Sequence, residues 1–332
     1  MVLLGGLLYD VTDPLHPRRL CKVANTTAHI WTGDTLTYLK TDSASSTSVI
    51  LHSIGSGNES VAAKIPYPNL EAGGAFGSTW WAADGSMAAT TIQPAQPAAG
   101  DRSRVWIYTP GFTGELYSYP YPVTDCVCRF GLPQPVLSIS PDHQYLVAGW
   151  PVGKGAEGFS VFRLSDRALL KTFDVGFSVA LWARSGHRLL LSGGAGSATW
   201  TPEGGQASMV AAQQWSFLAG LSPDGFQVAY TAYVDINNPQ SLRVFVYDVK
   251  TDTTRMLRDA LRSQVVFVKP GWVWYLEETA CDANDTTCGP WRTKPTGKVQ
   301  AMNLADGFER QVDFLYAEDT TYLVPGEFWP IG

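Results

Sequence analysis

Two neighbouring carboxylates, Glu277 and Glu278, stand beside a long polar loop. Glycoside hydrolysis uses such a pair of acids, one to donate a proton and one as nucleophile or base. Neighbouring residues of a strand point to opposite faces of the sheet, which disfavours a joint acid and base role for these two. Many of the aspartates have a structural use in turns. The sequence therefore points to no catalytic carboxylate pair.

The sequence gives no stronger indication of a serine nucleophile or of a metal site than of a carboxylate pair. The chain has no Gly-x-Ser-x-Gly elbow, and Ser197 follows Gly196 at the glycine-rich start of a short strand. No two of the five histidines have the spacing that places two imidazoles on one face, so we expect no transition-metal site and no cofactor. The oxygen-rich segments 235–238 and 282–285 leave calcium open, although both lack the glycine and the terminal glutamate of an EF-type loop.

Five cysteines occur in the chain. Cys281 and Cys288 bracket a polar loop and are predicted to form a local disulfide. Cys126 and Cys128 are interpreted as small residues at a strand or loop edge, because no second pair of zinc ligands accompanies them. The odd number leaves at least one free thiol, for which Cys21 is the candidate.

Aromatic residues in the connections are the candidate binding residues. Twelve tryptophans are present, and those inside apolar hairpins are expected to fill the core. Long connections at 92–101, 110–135, 233–241 and 281–296 are candidates for function. Residues 117–122 are aromatic and stiffened by proline, which suits a contact surface or an inert cap over sheet edges. The predicted binding residues are Tyr117, Tyr119, Tyr121, Trp150, Trp215 and Trp291.

Composition narrows the class of protein. The 332 residues are 45% hydrophobic and only 16% charged, with a net charge of −6 and no basic cluster. This balance argues against nucleic acid or an anionic membrane as partner. No apolar run reaches the 18 or more residues of a membrane-spanning helix. The start of the chain, residues 1–9, lacks the features of a signal peptide and is predicted to be a strand, so export would require a leader that this sequence does not show.

A repeated hairpin organises the whole chain. Seven segments combine an apolar run, a polar turn and a second run rich in β-branched or aromatic residues. Their turns fall near positions 34, 85, 143, 186, 225, 271 and 319, with successive gaps of 51, 58, 43, 39, 46 and 48 residues. This period is close to that of a four-stranded propeller blade.

A second, outer hairpin follows each of the first six, most clearly at residues 242–257. Its seventh copy lies at 7–20, whereas the inner hairpin at 315–323 has none after it. We therefore predict an all-β, single-domain, seven-bladed propeller over residues 1–332, with blades 1 to 6 from 27–311 and blade 7 from 1–20 plus 312–325. Six blades result if 314–324 is a tail, and eight is the other alternative.

Two of the inner hairpins carry a recognisable motif, Ser222-Pro-Asp-Gly225 and Ser140-Pro-Asp-His143. They resemble the hairpins of TolB-like propellers, whose layout WD-repeat propellers share. No Gly-His or Trp-Asp pair occupies the WD-repeat positions, which favours the TolB-like branch. The resemblance implies a propeller fold and partner binding on one face, without naming the partner.

The sequence thus predicts a non-enzymatic module that binds a ligand or protein or acts as a scaffold. A bacterial, extracytoplasmic sensor or interaction domain fits this interpretation, with a protein, small ligand or glycan bound on a propeller face. The alternative is an enzyme acting on a polysaccharide or peptide, with carboxylates at the channel mouth. Three or more acidic or histidine side chains converging there would favour the enzyme.

Overall fold

The computed structural model describes most of the chain, and all structural statements below concern that part. The described residues are 2–4, 7–22, 30–32, 35–43, 46–66, 74–82, 85–94, 101–109, 111–120, 136–150, 158–173, 177, 179–183, 187–193, 196–211, 217–222, 224–235, 237–282, 285 and 293–314. They form 27 strands and one 3-10 turn at Pro239–Ser241. No helix among them is long and apolar enough to span a membrane.

The first strands form a three-stranded antiparallel sheet, in the order β1-β2-β3. Its strands are β1 (Val2–Leu4), β2 (Leu7–Asp10) and β3 (Arg18–Lys22). Leu4 pairs with Leu7, so β1 and β2 are joined by the two residues between them. The prediction of a single strand over residues 1–9 is therefore wrong, because the glycines at positions 5 and 6 separate two short strands.

Six four-stranded antiparallel sheets follow, each built from four consecutive strands. The first three contain β4 (Ile30–Thr32), β5 (Thr35–Ser43), β6 (Ser46–Ser53) and β7 (Glu59–Pro66); β8 (Gly74–Trp81), β9 (Ala88–Pro94), β10 (Arg102–Thr109) and β11 (Phe112–Pro120); and β12 (Val136–Ile139), β13 (Tyr145–Trp150), β14 (Gly158–Arg163) and β15 (Ala168–Phe173). The last three contain β16 (Val179–Trp182), β17 (Leu189–Gly193), β18 (Gly196–Trp200) and β19 (Ser208–Ala211); β20 (Phe217–Leu221), β21 (Gln227–Tyr233), β22 (Leu242–Asp248) and β23 (Thr253–Met256); and β24 (Arg262–Lys269), β25 (Trp272–Ala280), β26 (Thr293–Asn303) and β27 (Glu309–Gln311). The prediction of an all-β chain of four-stranded antiparallel sheets is confirmed for these six.

The chain divides into two compact units, each with its own hydrophobic cores. One unit is Thr26–Ala180, and the other combines Met1–Asn25 with Leu181–Gly332. In the Thr26–Ala180 unit, successive sheets pack face to face in chain order through two apolar clusters. Trp81 and Tyr119 lie in these clusters.

The second unit repeats this arrangement and adds the N-terminal sheet. Sheet β16–β19 packs on β20–β23, and β20–β23 packs on β24–β27. The other face of β24–β27 buries Trp274 against Tyr9 and Val11 of the N-terminal segment. Trp274 Nε1 also donates a hydrogen bond to Pro14 O over 3.0 Å. The N-terminal segment and the last described sheet thus share one core.

The hairpin turns show why the Ser-Pro-Asp pattern recurs. Ser222 Oγ donates to Asp224 Oδ1 over 2.6 Å and accepts the N–H of Gln227 over 2.9 Å. Ser140 makes the same two bonds, to Asp142 over 2.7 Å and from Tyr145 over 2.9 Å. Each serine therefore satisfies backbone and side-chain groups at the base of its turn, which fixes the turn locally.

Candidate functional site

Tyr117 and Tyr119 lie on β11, the edge strand of its sheet, and not in a loop. Tyr119 is 3% exposed, and burial raises the pKa of its hydroxyl far above the usual range. The ring of Tyr117 lies 5.0 Å from that of Phe162 on the neighbouring sheet. The two rings share one face of β11, where Tyr119 is buried in the core between two sheets and Tyr117 is partly buried against it. A binding role for either ring stays a prediction.

The remaining predicted binding residues are not tested by the structure. Tyr121, Trp215, Trp291 and Cys288 lie outside the described residues, as do Cys126 and Cys128. Trp150 ends β13 and Cys21 lies in β3, but the description does not extend to the side chain of either. The roles assigned to these residues stay predictions.

Two of the predicted functional connections leave from one end of their sheets. β21 and β25 end there, and β22, β24 and β26 begin there, since Tyr233 pairs with Leu242 and Ala280 pairs with Thr293. Cα pairing of Arg262 with Glu277 places the start of β24 at the same end. We call this end of sheets β20–β23 and β24–β27 the loop edge.

The connection after Tyr233 is tied down by its own hydrogen bonds. Ser241 Oγ donates to Asp235 O over 2.7 Å and accepts the N–H of Asp235 over 2.9 Å. The side chain of Asn238 accepts the N–H of Gln240 at the start of the 3-10 turn. These bonds close the connection on itself while Val234 stays 60% exposed at its base. The loop edge therefore offers an exposed apolar side chain beside a hydrogen-bonded turn.

Glu278 is the half-buried carboxyl of the loop edge. Ser263 Oγ, on β24, donates a hydrogen bond to Glu278 Oε1. Burial raises the pKa of Glu278, and hydrogen bonds from Ser263 and Thr293 offset part of that rise. Burial also raises the pKa of Tyr233, to which the negative charge of Glu278 adds. A carboxyl in this setting holds a proton more tightly than an exposed one.

The nearby arginine does not neutralise Glu278. Arg262 Nη2 forms an ion pair with Glu309 Oε1 at 3.1 Å, and Tyr275 Oη donates to the same oxygen over 2.7 Å. The positive charge of Arg262 is therefore compensated across the face of its own sheet. Burial raises the pKa of Glu278, and the hydrogen bonds from the neutral hydroxyls of Ser263 and Thr293 offset only part of that rise.

Glu277 has a different environment from its neighbour. Gln300 Nε2 donates to Glu277 Oε2 over 2.9 Å, whereas Glu278 bonds to Ser263. The two carboxylates thus have separate partners, as alternation along a strand requires. The sequence suggests Glu277 and Glu278 only as a pair. It does not reveal the group that the structure brings together, in which Glu278 accepts a hydrogen bond from Ser263 and its charge raises the pKa of Tyr233.

The pH dependence of stability should report the environment of Glu278. Its folded pKa is above the unfolded value, so the folded state binds the extra proton between those two pKa values. Stability then falls as pH rises through that window. Glu278→Gln is expected to flatten this part of the profile and to raise Tm at pH 7 by roughly 1–3 °C. Thermal melts of the parent protein and of Glu278→Gln from pH 4 to pH 8 measure the profile and the change in Tm. Asp259→Asn, a change to an exposed carboxylate, is the control.

Cys281 directly follows the end of β25. Its side chain is buried and forms a disulfide bond. Beyond it, Lys294 Nζ forms an ion pair with Asp285 Oδ2 at 2.8 Å. The ion pair ties the connection to β26. The structure does not describe the cysteine bonded to Cys281, so the pairing with Cys288 remains a prediction.

Loss of this disulfide should destabilise the protein measurably. A bridge between positions 281 and 288 closes a short loop, for which chain entropy gives a stabilisation of about 2 kcal/mol. Cys281→Ser is expected to lower Tm by roughly 5 °C. Cys288→Ser should cause the same loss and Cys21→Ser none, as read by thermal melts with and without reductant. A normal melt for Cys288→Ser would mean that Cys281 pairs elsewhere.

Metal ligands do not gather at the loop edge among the described residues. No group of three or more His, Cys, Asp or Glu side chains in that part of the chain is placed to hold a metal ion. Asp235 and Asn238 use side-chain oxygens to accept N–H groups of their own turn. These two side-chain oxygens are thus already engaged by the turn, and the calcium alternative stays a prediction.

Comparison with known proteins does not assign the chain to a family. No family model matches it, and no curated protein matches it. Among solved structures, TolB from Acinetobacter baumannii is similar over 91% of this chain, with 11% identity and a TM-score of 0.39. This chain spans 57% of the length of that TolB.

A second solved structure is the β-propeller domain of the Trilobed protease from Pyrococcus furiosus. It is similar over 87% of this chain and 97% of its own, with 12% identity and a TM-score of 0.45. That propeller domain has an open velcro topology. At these scores and identities, neither likeness assigns an activity or a partner to this chain.

Proposed function

We propose that the protein is a non-enzymatic binding module that takes a ligand or a protein partner at the loop edge. The observation that carries this proposal is the setting of Glu278, a half-buried carboxyl between two long connections that are each tied down. Binding residues are commonly held on loops that a rigid scaffold positions. Here two packed four-stranded sheets supply that scaffold.

We also propose that the sheets are the seven blades of one closed, single-domain TolB-like propeller. Chain-order packing within each unit supports this arrangement. Packing of Tyr9 and Val11 against sheet β24–β27 supports the N-terminal sheet as the seventh blade.

An extracytoplasmic location in a bacterium is part of the proposal. The disulfide at Cys281 supports it, since such bonds persist mainly in oxidising compartments. Mass spectrometry of the protein isolated without reductant would test the location. A fully reduced Cys281 in protein taken from its native host would contradict it.

A ligand screen by thermal shift tests the binding function. The purified protein is melted with calcium, other metals, glycans and peptides, with and without chelator. One class should raise Tm by several degrees, as selective binding to the folded state requires. Glu278→Gln should reduce that shift, while Glu115→Gln, a change to an exposed carboxylate on β11 of the other unit, should leave it intact. A shift that both variants retain would place the site away from the loop edge.

Hydrolysis is the second candidate function, and Glu278 is again the observation that favours it. A general acid works best with a pKa near the operating pH, and burial raises the pKa of Glu278 in that direction. The substrate would be a polysaccharide or a peptide bound at the same edge. If the protein turns over such a substrate and Glu278→Gln abolishes the turnover, hydrolysis replaces the binding proposal. Binding without turnover would support the binding proposal.

A further inference from the structure

The outer strand of sheet β24–β27 has one open edge. Within the described sheet, β27 pairs with β26 and with no other strand. Two hydrogen bonds fix which of its peptide groups face β26: Phe308 O accepts an N–H of β26 over 2.9 Å, and Val312 N–H donates to β26 over 2.8 Å. Because peptide groups alternate along a strand, the N–H groups of Glu309 and Gln311 point to the open side.

The side chains on one face of this edge are aromatic and basic. Phe308 is 48% exposed, and Arg310, two residues further on, is exposed on the same face. Trp272 shares this face, since it pairs with Asn303 and Asn303 in turn pairs with Phe308. The ring of Trp272 is half-buried against the core that contains Trp274. The edge therefore presents an exposed aromatic ring beside a cation.

The cations of this face are not neutralised by carboxylates in the described part of the chain. No acidic side chain there forms an ion pair with Arg310. Lys269 Nζ donates to a carbonyl, Thr12 O, over 3.0 Å and lies 5.6 Å from the centre of a tryptophan ring on the same face. The nearby Asp306 accepts the N–H of Phe308 over 2.9 Å, so its carboxylate is engaged by its own turn.

The adjoining N-terminal segment keeps its own acids occupied. Asp10 accepts hydrogen bonds from the N–H and the hydroxyl of Thr12, and Asp13 accepts the N–H of Leu15. The same segment covers the far end of the edge, where Asp313 N–H donates to Leu15 O over 2.8 Å. The open part of β27 is therefore short, and its exposed cation is available to a carboxylate from another molecule.

We propose that the open edge of β27 binds an extended segment of a partner protein, with an acidic side chain opposite Arg310 and an apolar one opposite Phe308. An added strand gains main-chain bonds from Glu309 and Gln311, and its alternate side chains give specificity. A second copy of this chain is a poorer occupant, because the matching face of its β27 carries arginine and no acid. The surface lies at the end of the sheet opposite the loop edge, so the inference does not depend on the ligand proposed there.

Two synthetic peptides test this surface by hydrogen exchange on the full-length protein. Both have threonine at every second position; between the threonines, one alternates valine with glutamate and the other alternates valine with lysine. The glutamate peptide is expected to slow exchange at the amides of Glu309 and Gln311 by roughly tenfold or more, and the lysine peptide is not. Equal effects of the two peptides, or no protection of these amides at millimolar concentration, would overturn the proposal.

Charge reversal shows whether the peptide binds at this edge. Arg310→Glu should reverse the preference, so that the lysine peptide binds and the glutamate peptide does not, and Phe308→Ala should weaken binding of the glutamate peptide roughly tenfold. Both side chains are exposed, so Tm should stay that of the parent protein. Lys64→Glu, which changes an exposed cation on the outer strand β7 of the other unit, is the control and should not alter the preference. A preference for glutamate that survives Arg310→Glu would place binding elsewhere and would also overturn the proposal.

Discussion

Removal of residues 1–20 is expected to lower Tm by roughly 10 °C or more, and to destabilise sheets far from the deletion in sequence. Tyr9 and Val11 are buried in the same cluster as Trp274, Val266 and Leu276. Taking them away exposes one apolar face of sheet β24–β27 to water. Burial of one such side chain contributes about 1.5–3 kcal/mol, so several together amount to a large share of the stability of a domain.

A single substitution separates the anchoring hydrogen bond from the packing. Trp274 is fully buried, and its Nε1 donates to Pro14 O. Trp274→Phe keeps an aromatic ring but leaves that carbonyl without its donor, for an expected loss of about 2 kcal/mol. Limited proteolysis at Arg18 and Arg19 should then release the N-terminal segment faster than in the parent protein. For the deletion of residues 1–20 described above, an unchanged Tm would contradict the anchoring role of that segment.

The inner hairpins were predictable because their signals are local. Ser222 and Asp224 satisfy each other and the turn within six residues, so the sequence alone predicts both the turn and its strands. The N-terminal hairpin carried a signal of the same kind. Two glycines stand between Leu4 and Leu7, which the structure pairs, and two-residue glycine turns are a common hairpin connection.

The loop edge could not be predicted in the same way, because its members are far apart in the sequence. Ser263 bonds to Glu278 because β24 and β25 pair so that Ser263 faces Leu276, which places Glu278 two residues along on the same face. The charge of Glu278 raises the pKa of Tyr233 from a different sheet. The orientation of Tyr117 and Tyr119 depends on a shift of pairing between Val105 and Trp106. One inserted residue decides which face a side chain takes, and composition does not reveal it.

Gly225→Ala is expected to cost about 2–4 kcal/mol, several times the cost of the same change at Gly271. Both glycines stand in hairpin turns with positive φ, +76° and +72°. A Cβ at Gly225 would lie 2.6 Å from Ala183 Cβ, whereas a Cβ at Gly271 would meet nothing within 4 Å. Gly271→Ala therefore measures backbone strain alone, about 1 kcal/mol. The difference between the two variants is the cost of forcing two hairpins apart.

Ala183→Gly should rescue most of that difference. Ala183 closes the strand β16 hairpin, where its N–H donates to Arg188 O over 2.8 Å, and its Cβ is the atom that the new methyl group would strike. In the double variant the methyl group has room, so its loss of stability should fall toward that of Gly271→Ala plus the small cost of Ala183→Gly. Urea unfolding of the four proteins gives the coupling energy directly. Equal losses at Gly225 and Gly271, or a double variant no more stable than Gly225→Ala, would mean that these hairpins do not touch as the structure shows. A large coupling would show that sheets β16–β19 and β20–β23 are locked together at their turns as well as through their cores.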